Sequence, residues 1–83
     1  AMIRVQYFAR YREVLGLDGE SLAWHAELHS LAPLREQLVA RGGVWAVLAE
    51  PNLMCARNQE LCSLGEPLED GDEVAFFPTV TGG

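Results

Sequence analysis

Lysine is absent from this chain of 83 residues; its six basic residues are all arginine, set against twelve acidic ones for a net charge of −6. A phosphate-cradling G-x-x-x-x-G-K-S/T loop needs its lysine, so that nucleotide site is excluded. The shortage of positive charge also removes the electrostatic footprint of a nucleic-acid or anionic-lipid binder; a basic protein surface is the better expected partner. Cysteine is nearly absent too. Cys55 and Cys62 are the only two, six residues lie between them, and no histidine is close in sequence. That spacing matches neither a disulfide framework nor a zinc site, and two free structural thiols in a reducing cytoplasm are expected. No H-E-x-x-H occurs. No apolar run approaches the roughly 18 residues of a membrane span. The apolar stretch Met2–Ala9 is interrupted by Arg4 and Gln6, so no secretory leader is expected.

What is present is an ordinary globular balance, 49% hydrophobic and 22% charged, which argues against disorder. The length allows a single domain, which buries only about 60–65% of its unfolded surface and is modestly stable. Two features invite a metal and read better otherwise. His25 and His29 have the spacing of a helical ligand pair, but they straddle a strand end and a loop. Glu66, Glu69, Asp70, Asp72 and Glu73 lack the spacing of a calcium loop and read as a charged turn. No metal site is expected.

Periodicity orders the chain. Met2–Phe8 alternates, with Ile3, Val5 and Tyr7 on one face and Arg4, Gln6 and Phe8 on the other, as a half-buried strand does. Ala9–Leu15 reads as a short helix stopped by Gly16, and Glu20–His25 as a second strand. Ser30 is an N-cap candidate for a helix carrying Leu31, Leu34 and Leu38 and ended by Gly42-Gly43. Val44–Glu50 reads as a helical turn. Leu53–Arg57 and Leu61–Leu64 read as strands around an Asn58-Gln59-Glu60 turn, and Glu73–Phe77 as the last strand after a tight turn. This order predicts an α+β roll: a mixed sheet with one main helix packed across it, the leucine stripe covering Ile3, Val5, Tyr7, Val74 and Phe76.

Chemistry is concentrated at the end of the chain, Thr79-Val80-Thr81-Gly82-Gly83. A terminal Gly-Gly arises by chance about 0.5% of the time at average glycine usage. Without side chains it can thread a narrow channel and present its carboxylate. A carboxylate is a poor electrophile. Adenylation by ATP on a partner enzyme would make it a mixed anhydride, open to a sulfur nucleophile. Strand parity also places Phe8, Leu61 and Phe77 on outward positions, and an exposed apolar cluster marks a protein interface.

These residues resemble a known family. Asp70–Gly83, with its Asp-Gly-Asp-Glu-Val-Ala-Phe-Phe-Pro run ahead of the tail, is similar to the small, sulfur-carrying subunits of molybdopterin synthases. So are Ile3–Ala9 with Arg12-Glu13, Ala56–Gln59 and Pro67-Leu68. The resemblance implies a ubiquitin-like β-grasp domain over residues 1–78 and a flexible tail over 79–83. It implies that Gly83 is adenylated by an activating enzyme that uses ATP and is converted to a thiocarboxylate by a sulfurtransferase. Gly82 and Thr81 would thread the tail into the large subunit of the synthase, within a heterotetramer. There the sulfur would pass to cyclic pyranopterin monophosphate. Phe8, Leu61 and Phe77 match the family's apolar contact positions. The chain itself would bind no cofactor and would supply no catalytic group beyond its tail.

Three other readings remain open from the residues. The sulfur carrier of thiamine biosynthesis has the same fold and tail, but tends to be shorter and to lack Phe-Phe-Pro. A ubiquitin-like modifier would join its tail to target lysines. A plain binding module would make no use of the tail.

Overall fold

The computed structural model describes residues 1–79. Strand β1 (Met2–Tyr7) leads into helix α1 (Ala9–Leu15), then β2 (Gly19–Ala23), α2 (Leu31–Val39), a 3-10 helix (Gly43–Ala49), β3 (Met54–Arg57), β4 (Glu60–Cys62) and β5 (Glu73–Phe77). The strands form one sheet in the order β2-β1-β5-β3-β4. β1 and β5 run parallel at its centre, and the other neighbours are antiparallel. This is the expected mixed sheet. Among the described residues no helix is long and apolar enough to cross a membrane.

Alternation in β1 sorts its side chains as expected, with Ile3, Val5 and Tyr7 at most 1% exposed. Leu31, Leu34 and Leu38 of α2 are fully buried and share one core with Val74 and Phe76 of β5. Each such leucine contributes on the order of 1.5–3 kcal/mol by leaving water. α1 stops where Gly16 takes a left-handed conformation, φ 67°, and its N–H closes on the Arg12 carbonyl. β2 begins one residue earlier than expected, at Gly19. There the strands approach so closely that a Cβ would lie 2.7 Å from the Val5 carbonyl oxygen.

Several boundaries differ for identifiable reasons. β1 ends at Tyr7 because Ala9 turns to φ 53°, although the Phe8 N–H still donates to the Phe76 carbonyl at 3.2 Å. β2 ends at Ala23, since the next amide, of Trp24, reaches past β1 to the Ala1 carbonyl. The Ser30 side chain makes no capping bond. The backbone of the loop after β4 takes that role: the N–H groups of Leu31 and Ala32 donate to the carbonyls of Glu66 and Leu64, at 3.3 and 2.8 Å. The same task ends β4 at Cys62 instead of Leu64. β4 begins at Glu60 because Asn58 and Gln59, at φ 49° and 70°, complete the hairpin turn alone.

Two polar clusters sit at the ends of the sheet, and the first ties it to the layer above. The Tyr7 hydroxyl donates to Glu20 at 2.8 Å, and Arg41 forks onto both Glu20 oxygens at 2.9 and 3.1 Å while lying over the Trp45 ring. At the other end Asp72, only 8% exposed, accepts from the Arg57 Nε at 2.7 Å, the Glu69 N–H at 2.8 Å and Asn58 at 3.2 Å. Burial alone raises the Asp72 carboxyl, but Arg57, the Glu69 amide and Asn58 outweigh it and hold it below its usual value of 3.8.

A carboxyl depressed in the folded state contributes stability above its unfolded value and loses it as pH falls through the folded one. Asp72→Ala is therefore expected to lower the unfolding free energy by about 1–3 kcal/mol at neutral pH, because buried donors lose their acceptor. That deficit should shrink as pH falls below the usual carboxyl value of 3.8, since the native carboxylate then becomes protonated too. Urea unfolding of both chains at neutral and acidic pH measures it. A deficit independent of pH would contradict this account.

Candidate functional site

The helices cover one face of the sheet. The other face is open, and the register across it determines what it presents. Leu61 on β4 lies opposite Ala56 on β3, Ala56 opposite Ala75 on β5, and Ala75 beside Gln6 on β1. One step along, Met54 pairs with Phe77, and Phe8 follows the end of β1. Two methyl side chains thus make a low floor at the centre, and two aromatic rings rise at one end.

The result is a shallow depression of about 210 Å³ between Phe8, Phe77, Ala56 and Ala75, rimmed by Gln6, Gln59 and Glu73. Gln6 donates to the Glu73 carboxylate at 3.4 Å, so the rim is partly satisfied within the chain. The lining carries no thiol, hydroxyl or imidazole. It offers packing surface with a polar edge, the composition of a docking site.

The residues expected to face outward do so to different degrees. Phe8 is 43% exposed and Leu61 68%. Phe77 is half-buried, because it is flanked by Met54 and by the end of β1. Phe8 and Phe77 line the same depression, while Leu61 stands apart, beyond Ala56, beside a second recess with Arg57, Asn58 and Glu66. Sequence parity missed Ala56 and Gln59. A lone alanine in a four-residue strand has no periodic signal, and only its register against Ala75 makes it part of the floor.

β5 delivers the chain to the aromatic end of this face. It stops at Phe77, and Pro78 has no N–H with which to continue the ladder. Thr79 accepts a hydrogen bond from Asn52 at 3.1 Å. Thr81, Gly82 and Gly83, the residues expected to carry the chemistry, lie outside the described residues.

Other candidates are distributed elsewhere. His25 and His29 sit on the exposed loop after β2, where His25 is 3.3 Å from Gln37 and 3.7 Å from Glu27. The acidic run is organised around Arg57, which pairs with Glu66, Glu69 and Asp72 at 3.4, 3.7 and 2.7 Å. Among the described residues, no three histidine, cysteine or acidic side chains are grouped as a metal would require.

Comparison with known proteins gives this geometry a context. Residues 5–83 match the ThiS family. The molybdopterin synthase sulfur carrier subunit of Escherichia coli is 46% identical, over 99% of this chain and all of that one. Among solved structures, SAMP1 from Haloferax volcanii superposes with a TM-score of 0.81 at 24% identity over the full length of both chains, a likeness of fold. A chain in the protein–protein complex of subunits 1 and 2 of molybdopterin-converting factor from Helicobacter pylori is 27% identical, with a TM-score of 0.68 and full coverage of both. The architecture is the ubiquitin-like β-grasp.

Proposed function

Because the chain belongs to the ThiS family, we propose that it is the sulfur-carrying subunit of a molybdopterin synthase. The observation that carries this reading is the open sheet face: an apolar depression bounded by Phe8 and Phe77, at the end where β5 releases the tail. The full-length identity to a carrier of that name supports it over the thiamine-pathway carrier.

In this reading the Gly83 carboxylate attacks the α-phosphorus of ATP on an activating enzyme, and pyrophosphate leaves. A persulfide on a sulfurtransferase then displaces AMP, and a thiol cleaves the resulting acyl disulfide, which leaves the tail as a thiocarboxylate and joins the sulfurtransferase sulfur to that thiol as a disulfide. ATP is consumed on the activating enzyme, and the carrier holds no cofactor. The charged carrier docks on a large synthase subunit through Phe8, Leu61 and Phe77. Gly82 and Thr81 occupy a channel that a side chain at residue 82 would narrow. The thiocarboxylate sulfur, a better nucleophile than the carboxylate, attacks an oxygen-bearing side-chain carbon of cyclic pyranopterin monophosphate, and the C–O bond there breaks as that oxygen leaves. Water then cleaves the acyl–sulfur bond and returns Gly83 to its starting form. The complex of two converting-factor subunits in Helicobacter pylori supports such a partner, and a cytoplasmic heterotetramer completes the reading.

The absence of lysine makes the test clean. Trypsin cuts only after arginine, the last of which is Arg57, so Asn58–Gly83 is released as one peptide. After incubation with ATP, the activating enzyme and a sulfur donor, that peptide should gain the mass of one oxygen-to-sulfur exchange, located at Gly83 by fragmentation. A peptide that stays a plain carboxylate under those conditions would overturn the sulfur-carrier reading. Lysine conjugates of the tail would favour a protein modifier instead.

A further inference from the structure

Cys55 on β3 and Cys62 on β4 are direct cross-strand partners, with their sulfur atoms 4.0 Å apart. Both thiols are free; Cys55 is 2% exposed, and Cys62 is half-buried at the sheet edge. The Cys55 S–H donates to the Cys62 carbonyl at 3.3 Å, which turns its side chain toward β4. Either cysteine alone would be explained as a small apolar filler. Two of them facing each other in register are a different matter. Opposed Cα atoms in an antiparallel pair lie about 4.5–5.5 Å apart, inside the roughly 4.4–6.8 Å span of a disulfide.

We propose that Cys55 and Cys62 form a redox modification site, in which a low-molecular-weight disulfide oxidises the pair to a cross-strand disulfide that clamps edge strand β4 to β3. Cys62 is the entry thiol because it reaches solvent. Its thiolate attacks one sulfur of the small disulfide, and one small thiol leaves. The Cys55 thiolate then attacks the Cys62 sulfur of the mixed disulfide, and the second small thiol leaves. The protein gives up two electrons and two protons, and the small disulfide becomes two thiols.

The surroundings set the pace of this exchange. Burial pushes the Cys55 thiol up to about 12 and raises Cys62 as well. The thiolate is the attacking species, so exchange is slow at neutral pH and accelerates as pH rises. The same environment makes each cysteine a poor leaving group, so the bond resists reduction once formed. The site therefore behaves as a slow, persistent clamp.

The position of Arg57 between the two cysteines provides the readout. Trypsin places Cys55 in Gly42–Arg57 and Cys62 in Asn58–Gly83. The folded chain, incubated with oxidised glutathione, should yield these two peptides joined, with both free thiols lost and the melting midpoint raised by several degrees. The rate of joining should rise with pH. Cys55→Ala should instead hold glutathione stably on Cys62, and Cys62→Ala should leave Cys55 unmodified in the folded chain. The proposal fails if native Cys62 keeps its glutathione while Cys55 stays free, if chains join to one another through Cys62, or if both thiols persist. An unchanged or lowered melting midpoint of the joined form would equally overturn the clamp.

Discussion

A chain lengthened by one alanine beyond Gly83 is expected to transfer no measurable sulfur, although it folds as before. In the proposed reaction the terminal carboxylate is the one that reacts, and one more residue displaces it by about 3.5 Å along an extended chain. Misplacing a reacting atom by about 1 Å already costs roughly 100-fold in rate, so a loss well beyond that is expected. Gly82→Ala probes the proposed channel more gently. Its methyl group both widens the tail and restricts its backbone, so a smaller but clear loss is expected. Single-turnover assays with the activating enzyme, the sulfur donor and the large subunit would separate charging from transfer. Both variants should melt like the unaltered chain, because the described core lies wholly upstream of the tail. Normal transfer by the lengthened chain would remove Gly83 from the reaction.

The second large effect concerns the open face. Phe8→Ala and Leu61→Ala should each weaken binding to the large subunit by roughly 30- to 1000-fold, as truncating an anchoring residue of 2–4 kcal/mol does. Neither should lower the unfolding midpoint appreciably. Phe8 is 43% and Leu61 68% exposed, and the Phe8 contribution to the start of α1 is made by its backbone. Titration calorimetry beside thermal melting separates docking from folding. Phe77 is the less informative position, since it is half-buried against β3 and its truncation disturbs the sheet as well. Unchanged affinity in both exposed variants would shift the interface away from this face.

Much of this was open to reading along the chain. The alternation of Ile3, Val5 and Tyr7, the helical spacing of Leu31, Leu34 and Leu38, the stop at Gly16 and the extent of β5 are local properties. They are set by backbone geometry and by which side of an element is apolar, and both recur every two or about four residues. The Gly-Gly pair and the missing lysine are likewise facts of composition, and the proposed tail chemistry rests on the first of them.

What no periodicity contains is the relation between distant segments. Only the tertiary structure laid Ala56 beside Ala75 to form the floor of the depression. It replaced the Ser30 hydroxyl with the backbone of Leu64 and Glu66 as the cap of α2. It set Asp72 among Arg57, Asn58 and Glu69, and brought Cys55 to face Cys62. Each of these depends on strand order and register. Those are decided by the closing of one shared core, where the choice that buries the most apolar surface and leaves the fewest amides unpaired prevails.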